Sequence, residues 1–372
     1  MSNQSCPPST QPLGLDRDFC LQRQDRLRQA LQRCDLDAGL IRNRRHVHYF
    51  TGYWGPSIAP TAVLVPLDGP TTLAIGFESE CEPAADQIKI YPSNKLATLI
   101  DDMDAAMADQ LSDDLGRYKA LGCDLEWPLG SQINHEARSI VSDILALRRA
   151  KDDDEVQLIR RAVSACEAAY ARARAMLEPG VTEIQVYAQM YAAAVEVVGE
   201  IIGEVGQDFR AGVPGGPPRP CPVEAGQLMP LDVSIRARGY GCDLCRTFAV
   251  DGRPTEDQQR AHGLVVAALE HVEAVAGPGV SCKQLYQDVA EMIDGKHGWS
   301  FFHHLGHGIG LGVHEAPRLN PHWADTLEPG DVFTVEPGLY HPEQLRGGVR
   351  LEHNYLVTES GLDRLSQYPL DL

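Results

Sequence analysis

Hydrophobic and polar residues alternate between residues 226 and 250, in the segment GQLMPLDVSIRARGYGCDLCRTFAV. Alternation at every second position predicts two β-strands joined by a short turn. With this turn centred between Ala237 and Arg238, Asp232 and Asp243 lie directly opposite each other on the polar face. Because opposed carboxylates repel each other across a strand pair, the pattern indicates that a cation lies between them.

A second pair of strands near the end of the chain repeats this arrangement. The segments DVFTVEPG (331–338) and GVRLEHNYLV (348–357) alternate apolar and polar residues in the same way. Glu336 and Glu352 are symmetric about Gln344, so an unbulged hairpin would bring these two carboxylates face to face. Each of the two hairpins is therefore predicted to supply half of one metal site.

The first 150 residues combine helical periodicity with short apolar runs. We predict helices at 16–35, 95–115 and 132–148. We predict strands at DAGLIR (37–42), VHYFTGYWG (47–55), YKALGCDLEW (118–127) and the two apolar runs of APTAVLVPLDGPTTLAIG (59–76). Strands that alternate with helices in this way indicate a small α/β domain.

The charged stretch RRAKDDDE (148–155) marks a domain boundary, because long amphipathic helices follow it. We predict these helices at 154–177, 181–198, 255–274 and 281–294, the second and third beginning at Thr182 and Thr255. The segment 210–225 is too rich in Pro and Gly for regular structure. The predicted organisation is a disordered tail at 1–14, a first domain at 15–147 and a second domain at 148–372.

The chain carries a net charge of −19, from 52 acidic and 33 basic residues. Such a charge argues against nucleic acid or an anionic membrane surface as a partner. The polar start MSNQSCPPSTQPLG has no secretory signal, and no run of about 18 apolar residues predicts a membrane span. We expect the ten cysteines to be reduced in a cytoplasm. Cys242 and Cys245 have CxxC spacing, but on a strand they point to opposite faces and chelate poorly.

Histidines are concentrated between the two predicted hairpins, in FFHHLGHGIGLGVHE (301–315). Its alternating glycines disfavour a helix and allow close approach of the backbone. Four carboxylates and one imidazole suit a pair of divalent ions such as Mn, Co, Fe or Zn. Two such ions, about 3.5–4 Å apart, are a common device for hydrolysis.

These motifs resemble metallopeptidase family M24, which includes methionine aminopeptidase, prolidase and Xaa-Pro aminopeptidase. The five metal ligands of the family correspond to residues in LDVS, CDLCRTF, GHGIGL, TVEPGLY and VRLEHNYLV, namely Asp232, Asp243, His307, Glu336 and Glu352. DAGLIR and VHYFTGYWG resemble the N-terminal domain of creatinase and prolidase. The resemblance implies an α/β (α+β) chain in which a small creatinase-like domain precedes a pita-bread domain.

The resemblance also implies how the ligands divide between two divalent ions, with Mn²⁺ expected first. Asp232 would bind one ion, and His307 and Glu336 would bind the other. Asp243 and Glu352 would bridge the two ions. A water or hydroxide between the ions would attack the substrate, and Glu336 would also shuttle its proton.

Three further residues have implied substrate roles. His314 would polarise the substrate carbonyl, and His303 would help to bind the substrate. Arg350 would tether either Glu352 or a substrate carboxylate through a bidentate contact. The substrate would be a small peptide or a small-molecule amide, and the resemblance implies a homodimer.

One loop departs from the family pattern and leaves the function open. M24 peptidases usually carry Pro-His before the first aspartate, but RAGVPGGPPRPCPVEAG (210–226) has no histidine. Arg219 could replace it as a hydrogen-bond donor, although not as an acid or base. The complete ligand set favours an Xaa-Pro dipeptidase or aminopeptidase. The missing histidine favours a non-peptidase hydrolase, similar to creatinase or ectoine hydrolase. A catalytically inactive binding module is disfavoured by the retained ligands.

Overall fold

A computed structural model describes residues 14–79, 81–125, 136–203 and 205–372. The chain divides into two compact units, Met1–Arg148 and Arg149–Leu372. The tail predicted at 1–14 lies outside the described residues, apart from Gly14. None of the helices within the described ranges is both long enough and apolar enough to cross a bilayer.

The first unit is built around a six-stranded mixed sheet. Its elements are α1 (Arg17–Arg33), β1 (Ala38–Ile41), α2 (Arg44–Thr51), β2 (Ala62–Pro66), β3 (Thr72–Ile75), β4 (Gln87–Ile90), β5 (Asn94–Lys95), β6 (Thr98–Leu99), α3 (Met103–Leu115), β7 (Ala120–Cys123), β8 (Glu136–Ser139) and α4 (Val141–Leu147). The strand order is β4-β3-β2-β1-β7-β8. Met107 and Leu111 of α3 are buried in the same apolar cluster as Leu64 of β2, so this helix covers one face of the sheet.

The strand predicted at 47–55 is wrong, because this segment forms most of helix α2 and the irregular residues after it. The side chain of Asn43 caps the helix by accepting a hydrogen bond from the Arg45 amide, and Gly52 ends it in a left-handed conformation. A short run in which nearly every side chain is buried has no period of its own. Such a run does not distinguish a strand from a helix.

Two helices predicted in the first unit are too long. The helix predicted at 95–115 begins only at Met103, where the Asp102 side chain accepts from the Ala105 amide, and the β5–β6 hairpin precedes it. The helix predicted at 132–148 is strand β8 followed by α4, and its residues 132–135 lie outside the described part. Strand β8 is short and pairs with β7, and this contact is not visible in a local pattern.

The second unit twice places two long helices before a group of antiparallel strands. Its elements are α5 (Asp153–Met176), α6 (Glu183–Val198), β9 (Leu228–Val233), β10 (Arg236–Ala237), β11 (Tyr240–Gly241), β12 (Leu244–Ala249), α7 (Glu256–Val275), α8 (Cys282–Ile293), β13 (Gly306–Gly308), β14 (Glu315–Leu319), β15 (Val332–Val335), β16 (Gly338–His341), β17 (Gly347–Arg350), β18 (His353–Thr358) and β19 (Gly361–Arg364). The four helices agree with their predicted limits to within two residues. The segment 210–225 contains no helix or strand.

Capping boxes explain why the helix limits follow from the sequence. At Thr182 and Thr255, the side chain accepts from the amide of a glutamine three residues on, and that glutamine accepts from the threonine amide. Asp152 and Glu155 make the corresponding box at the start of α5. These contacts are local, so the order of residues alone specifies where each helix begins.

The helices of the second unit hold the strands that carry the acid residues. Tyr170 of α5 is fully buried, and its hydroxyl lies 3.2 Å from the carbonyl oxygen of Leu231 and also contacts that of Leu244. It therefore bridges β9 and β12. Residues of α7 and α8 share one apolar core with Phe333 of β15 and Tyr355 of β18. Both strand pairs are therefore fixed by buried contacts rather than by their turns alone.

Candidate metal centre

The first predicted hairpin forms, but its turn lies one residue later than predicted, so the residue opposite Asp232 is two positions further along the second strand. Asp232 pairs with Cys245, and Ala237 pairs with Tyr240. The turn is therefore centred between Arg238 and Gly239, which both have positive φ, as the tight two-residue hairpin turns require. The second acid, at position 243, lies two residues along from Cys245. It remains on the face of Asp232 and becomes its diagonal neighbour.

The second acid hairpin has the predicted register. Gly338 pairs with Arg350, and Val335 pairs with His353, so the two flanking ladders share one register. In that register Glu336 is opposite Glu352, which confirms the symmetry about residue 344. The regular ladder is interrupted at these two acids.

The structure brings all five predicted ligands together. Oxygens of Asp232, Asp243 and Glu352 lie within 4.8 Å of one another. The Nε2 atom of His307 lies 3.5 Å from Oε1 of Glu336 and 3.7 Å from Oδ2 of Asp243. Residues in β9 and β13, just before β12, between β15 and β16 and between β17 and β18 therefore converge on one cluster.

The backbone around His307 selects the tautomer that a metal ligand needs. Its Nδ1 lies 3.1 Å from the Gly308 carbonyl oxygen, which can only accept, so Nδ1 carries the hydrogen. Its backbone amide donates to the Thr334 hydroxyl at 3.1 Å. The lone pair of Nε2 consequently faces the carboxylates. Burial lowers the pKa of His307 to about 3, so the ring is neutral at physiological pH.

Three acids of the cluster are buried with too few hydrogen-bond donors or positive charges to balance their carboxylates. Burial, followed by the charges of neighbouring acids, raises the pKa of Glu336 to about 8 and the pKa values of Asp243 and Glu352 well above their usual range. Oδ1 of Asp243 and both carboxylate oxygens of Glu352 have no hydrogen-bond partner among the described residues. Divalent ions would satisfy these oxygens, and the set of four carboxylates and one imidazole fits such ions.

Two other histidines lie against this cluster. The ring of His314 stacks on that of His307, with centroids 3.8 Å apart, and its side chain is exposed. His304, to which we assigned no role from the sequence, places Nδ1 at 3.3 Å from Oε1 of Glu336. His303, His304 and Glu336 also lie close enough together to share one ion. The density of histidines in 301–315 was the only sequence signal for His304.

Of the two roles expected for Arg350, the structure does not show the tether to Glu352, because the hydrogen bonds of Arg350 go to other residues. Its Nη2 donates to Oδ2 of Asp232 and to Oδ2 of Asp208, both at 2.6 Å. Its Nη1 donates to the Tyr340 hydroxyl at 3.0 Å. The position of Tyr340 in TVEPGLY could have suggested a site role. Asp208 lies in an irregular loop, and no pattern indicated it.

The loop that lacks the histidine is arranged differently from the expectation. Arg219 does not reach the cluster, because its guanidinium donates to both oxygens of Glu183, at 2.6 and 2.9 Å. A Cβ atom at Gly215 would lie 2.4 Å from Cγ of Asp208. The carboxylate of Asp208 therefore fills the space that a side chain at position 215 would need.

Comparison with known proteins decides the family. Residues 157–359, more than half of the chain, match the sequence profile of metallopeptidase family M24. The chain belongs to family M24. Residues 23–142 match the creatinase/prolidase N-terminal domain, so the M24 chain has the predicted fold, a small creatinase-like α/β domain followed by a pita-bread domain. M24 peptidases use divalent metal ions.

Several relatives of this M24 chain have named activities. It is 28% identical over 354 residues to an Xaa-Pro dipeptidase of Pyrococcus horikoshii, which covers 91% of this chain and 94% of the relative. It is 32% identical over 247 residues to the Xaa-Pro dipeptidase of Pyrococcus furiosus, covering 64% and 68% of the two chains. The solved Xaa-Pro dipeptidase of Bacillus anthracis superposes with a TM-score of 0.80 at 24% identity, over 95% of this chain and 99% of that chain. The last likeness supports the fold.

Proposed function

We propose that the protein is a dinuclear metal-dependent hydrolase that cleaves an N-terminal Xaa-Pro bond, as a dipeptidase or an aminopeptidase. The observation that carries the proposal is the cluster of Asp232, Asp243, His307, Glu336 and Glu352, in which three buried carboxylate oxygens have no partner among the described residues. The Xaa-Pro dipeptidases among its relatives support the same substrate class.

The proposed ligand assignment is the one that the resemblance implied. Asp232 would hold one ion, His307 and Glu336 would hold the other, and Asp243 and Glu352 would serve both. Mn²⁺ is the ion we expect first, because a site made mostly of carboxylates suits a hard ion. When bound, such a pair lowers the pKa of water and neutralises charge that develops on the substrate.

Around these ligands, side chains of the protein orient protons and substrate. The Thr334 hydroxyl donates to Oε1 of Glu336 at 3.2 Å, which leaves Oε2 to hold a proton. The Tyr340 hydroxyl accepts from Arg350 and lies 2.9 Å from Nε2 of His303, whose Nδ1 donates to the His304 carbonyl oxygen. We propose that His303 acts on the substrate through this oriented hydroxyl.

We propose that His314 contacts the substrate carbonyl directly, because its exposed ring lies against His307. His314→Ala is then expected to lower kcat by about 100- to 1000-fold, the usual cost of removing one oxyanion donor, with metal content unchanged. Steady-state kinetics and metal analysis of the purified variant measure both effects. His322→Ala removes an exposed histidine outside the cluster and is the matched control. A full rate in His314→Ala would contradict this role.

The proposed function is tested by metal analysis and a substrate panel. Protein purified without chelator should contain one to two divalent ions per chain, and it should hydrolyse Xaa-Pro dipeptides or Xaa-Pro-Yaa peptides when Mn²⁺ or Co²⁺ is present. The loop without a histidine favours one alternative, a non-peptidase hydrolase of small amides. Turnover of small cyclic or N-alkyl amides alone would establish that alternative. Protein without any bound transition metal under replete conditions would exclude both functions.

We propose a reducing cytoplasm as the working environment and a homodimer as the assembly. The nine cysteines among the described residues are all free. Disulfides are rare where thiols are kept reduced, and this supports the first part of the proposal. The homodimer is supported only by the family resemblance, and sedimentation of the purified protein would test it.

A further inference from the structure

Asp208 introduces a carboxylate that is not one of the five proposed ligands. The Asp232 amide donates to its backbone carbonyl oxygen at 2.9 Å, and the Gly216 amide donates to its Oδ1 at 2.6 Å. Its Oδ2 accepts from Arg350 at 2.6 Å, and its side chain keeps 25% of its exposure. The loop therefore folds around this carboxylate and holds it beside the proposed ligand Asp232, where it is still open to solvent.

This contact uses the part of Arg350 that would otherwise bind an anion. A guanidinium binds a carboxylate in bidentate fashion through two N–H groups on one edge, and both such edges of Arg350 include Nη2. Both hydrogens of Nη2 are used, one by Asp208 and one by Asp232. Nε is buried and has no hydrogen-bond partner within the described ranges. Arg350 therefore cannot bind a substrate carboxylate in bidentate fashion while Asp208 is in place.

The negative charge of Asp208 also disfavours binding of a substrate carboxylate at Arg350. Asp232 is a proposed metal ligand, so without Asp208 the positive charge of Arg350 would be only partly compensated. The carboxylate at position 208 cancels this charge and repels another anion nearby. It presents hydrogen-bond acceptors, which suit an N–H group.

We propose that Asp208 is a specificity-determining residue that keeps a free substrate carboxylate away from Arg350. The proposal rests on the Xaa-Pro peptidase function above and narrows its substrate class. The enzyme prefers substrates in which the proline carbonyl is part of an amide or a further peptide bond. It acts poorly on Xaa-Pro dipeptides, whose proline ends in a free carboxylate.

The test compares Ala-Pro with Ala-Pro amide, which differ only in this carboxylate, on the Mn²⁺-loaded enzyme. The wild type is expected to show a kcat/KM for the amide at least about tenfold higher, and a factor of ten corresponds to about 1.4 kcal/mol. Asp208→Asn should remove most of this preference by lowering KM for the dipeptide. Glu359→Gln removes an equal charge at an exposed turn and should leave the preference unchanged.

The outcomes separate this proposal from the proposed function. An equal or higher kcat/KM of the wild type for the dipeptide overturns the role of Asp208, and this result does not depend on how the variant folds. An unchanged preference in a folded, metal-loaded Asp208→Asn enzyme overturns it as well. Cleavage of neither substrate overturns the peptidase function. Calorimetry with proline and prolinamide then decides: tighter binding of prolinamide, lost in Asp208→Asn, supports the role, and equal binding overturns it.

Discussion

Asp243→Ala is expected to abolish binding of the divalent ions and to lower activity by more than about 1000-fold. Asp243 lies between Asp232 and His307, with Oδ2 3.7 Å from Nε2 of His307, so its loss affects both proposed ion positions. A metal ion stabilises a hydrolytic transition state by several kcal/mol, and each 1.36 kcal/mol is a factor of ten in rate. Metal analysis after dialysis and initial rates with added Mn²⁺ measure the two losses.

The same variant has a second readout that does not depend on turnover. A ligand present at about 100 times its Kd stabilises the native state by about 2.7 kcal/mol, so Mn²⁺ should raise the Tm of the wild type. It should leave the Tm of Asp243→Ala unchanged. Asp113→Ala, at an exposed aspartate of α3, is the control and should keep both the metal and the Tm shift. Retention of two ions by Asp243→Ala would refute the bridging position.

The metal-free protein is expected to lose stability as the pH rises from about 6.5 to 8. The pKa of Glu336 is raised from 4.5 to about 8 by burial and by the charge of Asp232, so the native state holds a proton that the unfolded state has released. Stability falls with rising pH wherever the native state binds more protons. For one proton over this window the loss is about 2 kcal/mol. Asp243 and Glu352 shift in the same direction.

Three histidines of the site explain why the loss of stability is expected only above about pH 6.5. Burial lowers the pKa values of His303 and His307 to about 3 and that of His304 to about 4, against 6.5 in the unfolded chain. These shifts increase stability as the pH rises to 6.5 and have no further effect above it. Urea unfolding in chelator at pH 6.5, 7.2 and 8 measures the predicted loss, which bound Mn²⁺ should remove. Glu336→Gln should flatten the profile of stability against pH, and a wild-type stability that rises with pH would show that burial does not keep a proton on these acids.

Period-two patterning was sufficient to pair Glu336 with Glu352, because an unbulged hairpin follows directly from residue spacing. The same reasoning placed the turn of the first hairpin one residue too early. Arg238 adopts φ +47 there, a conformation that side chains rarely take and that spacing does not reveal. The error left the site intact, because moving the turn by one residue shifts the partner of Asp232 by two positions, and a shift of two keeps Asp243 on the same face. The prediction of a strand at 47–55 was wrong for another reason. A buried run without a period does not specify its own secondary structure.

The sequence by itself determined which four acids meet in the candidate metal centre and where the helices of the second unit begin. Both depend on short-range rules, namely side-chain alternation on strands and capping by residues three positions apart. Only the tertiary structure decided what surrounds the centre. Asp208 and Arg350 are 142 positions apart, and their contact depends on an irregular loop that turns around one carboxylate. The raised pKa values of Glu336 and Glu352 likewise arise from burial by distant segments, and no local pattern encodes burial of that kind.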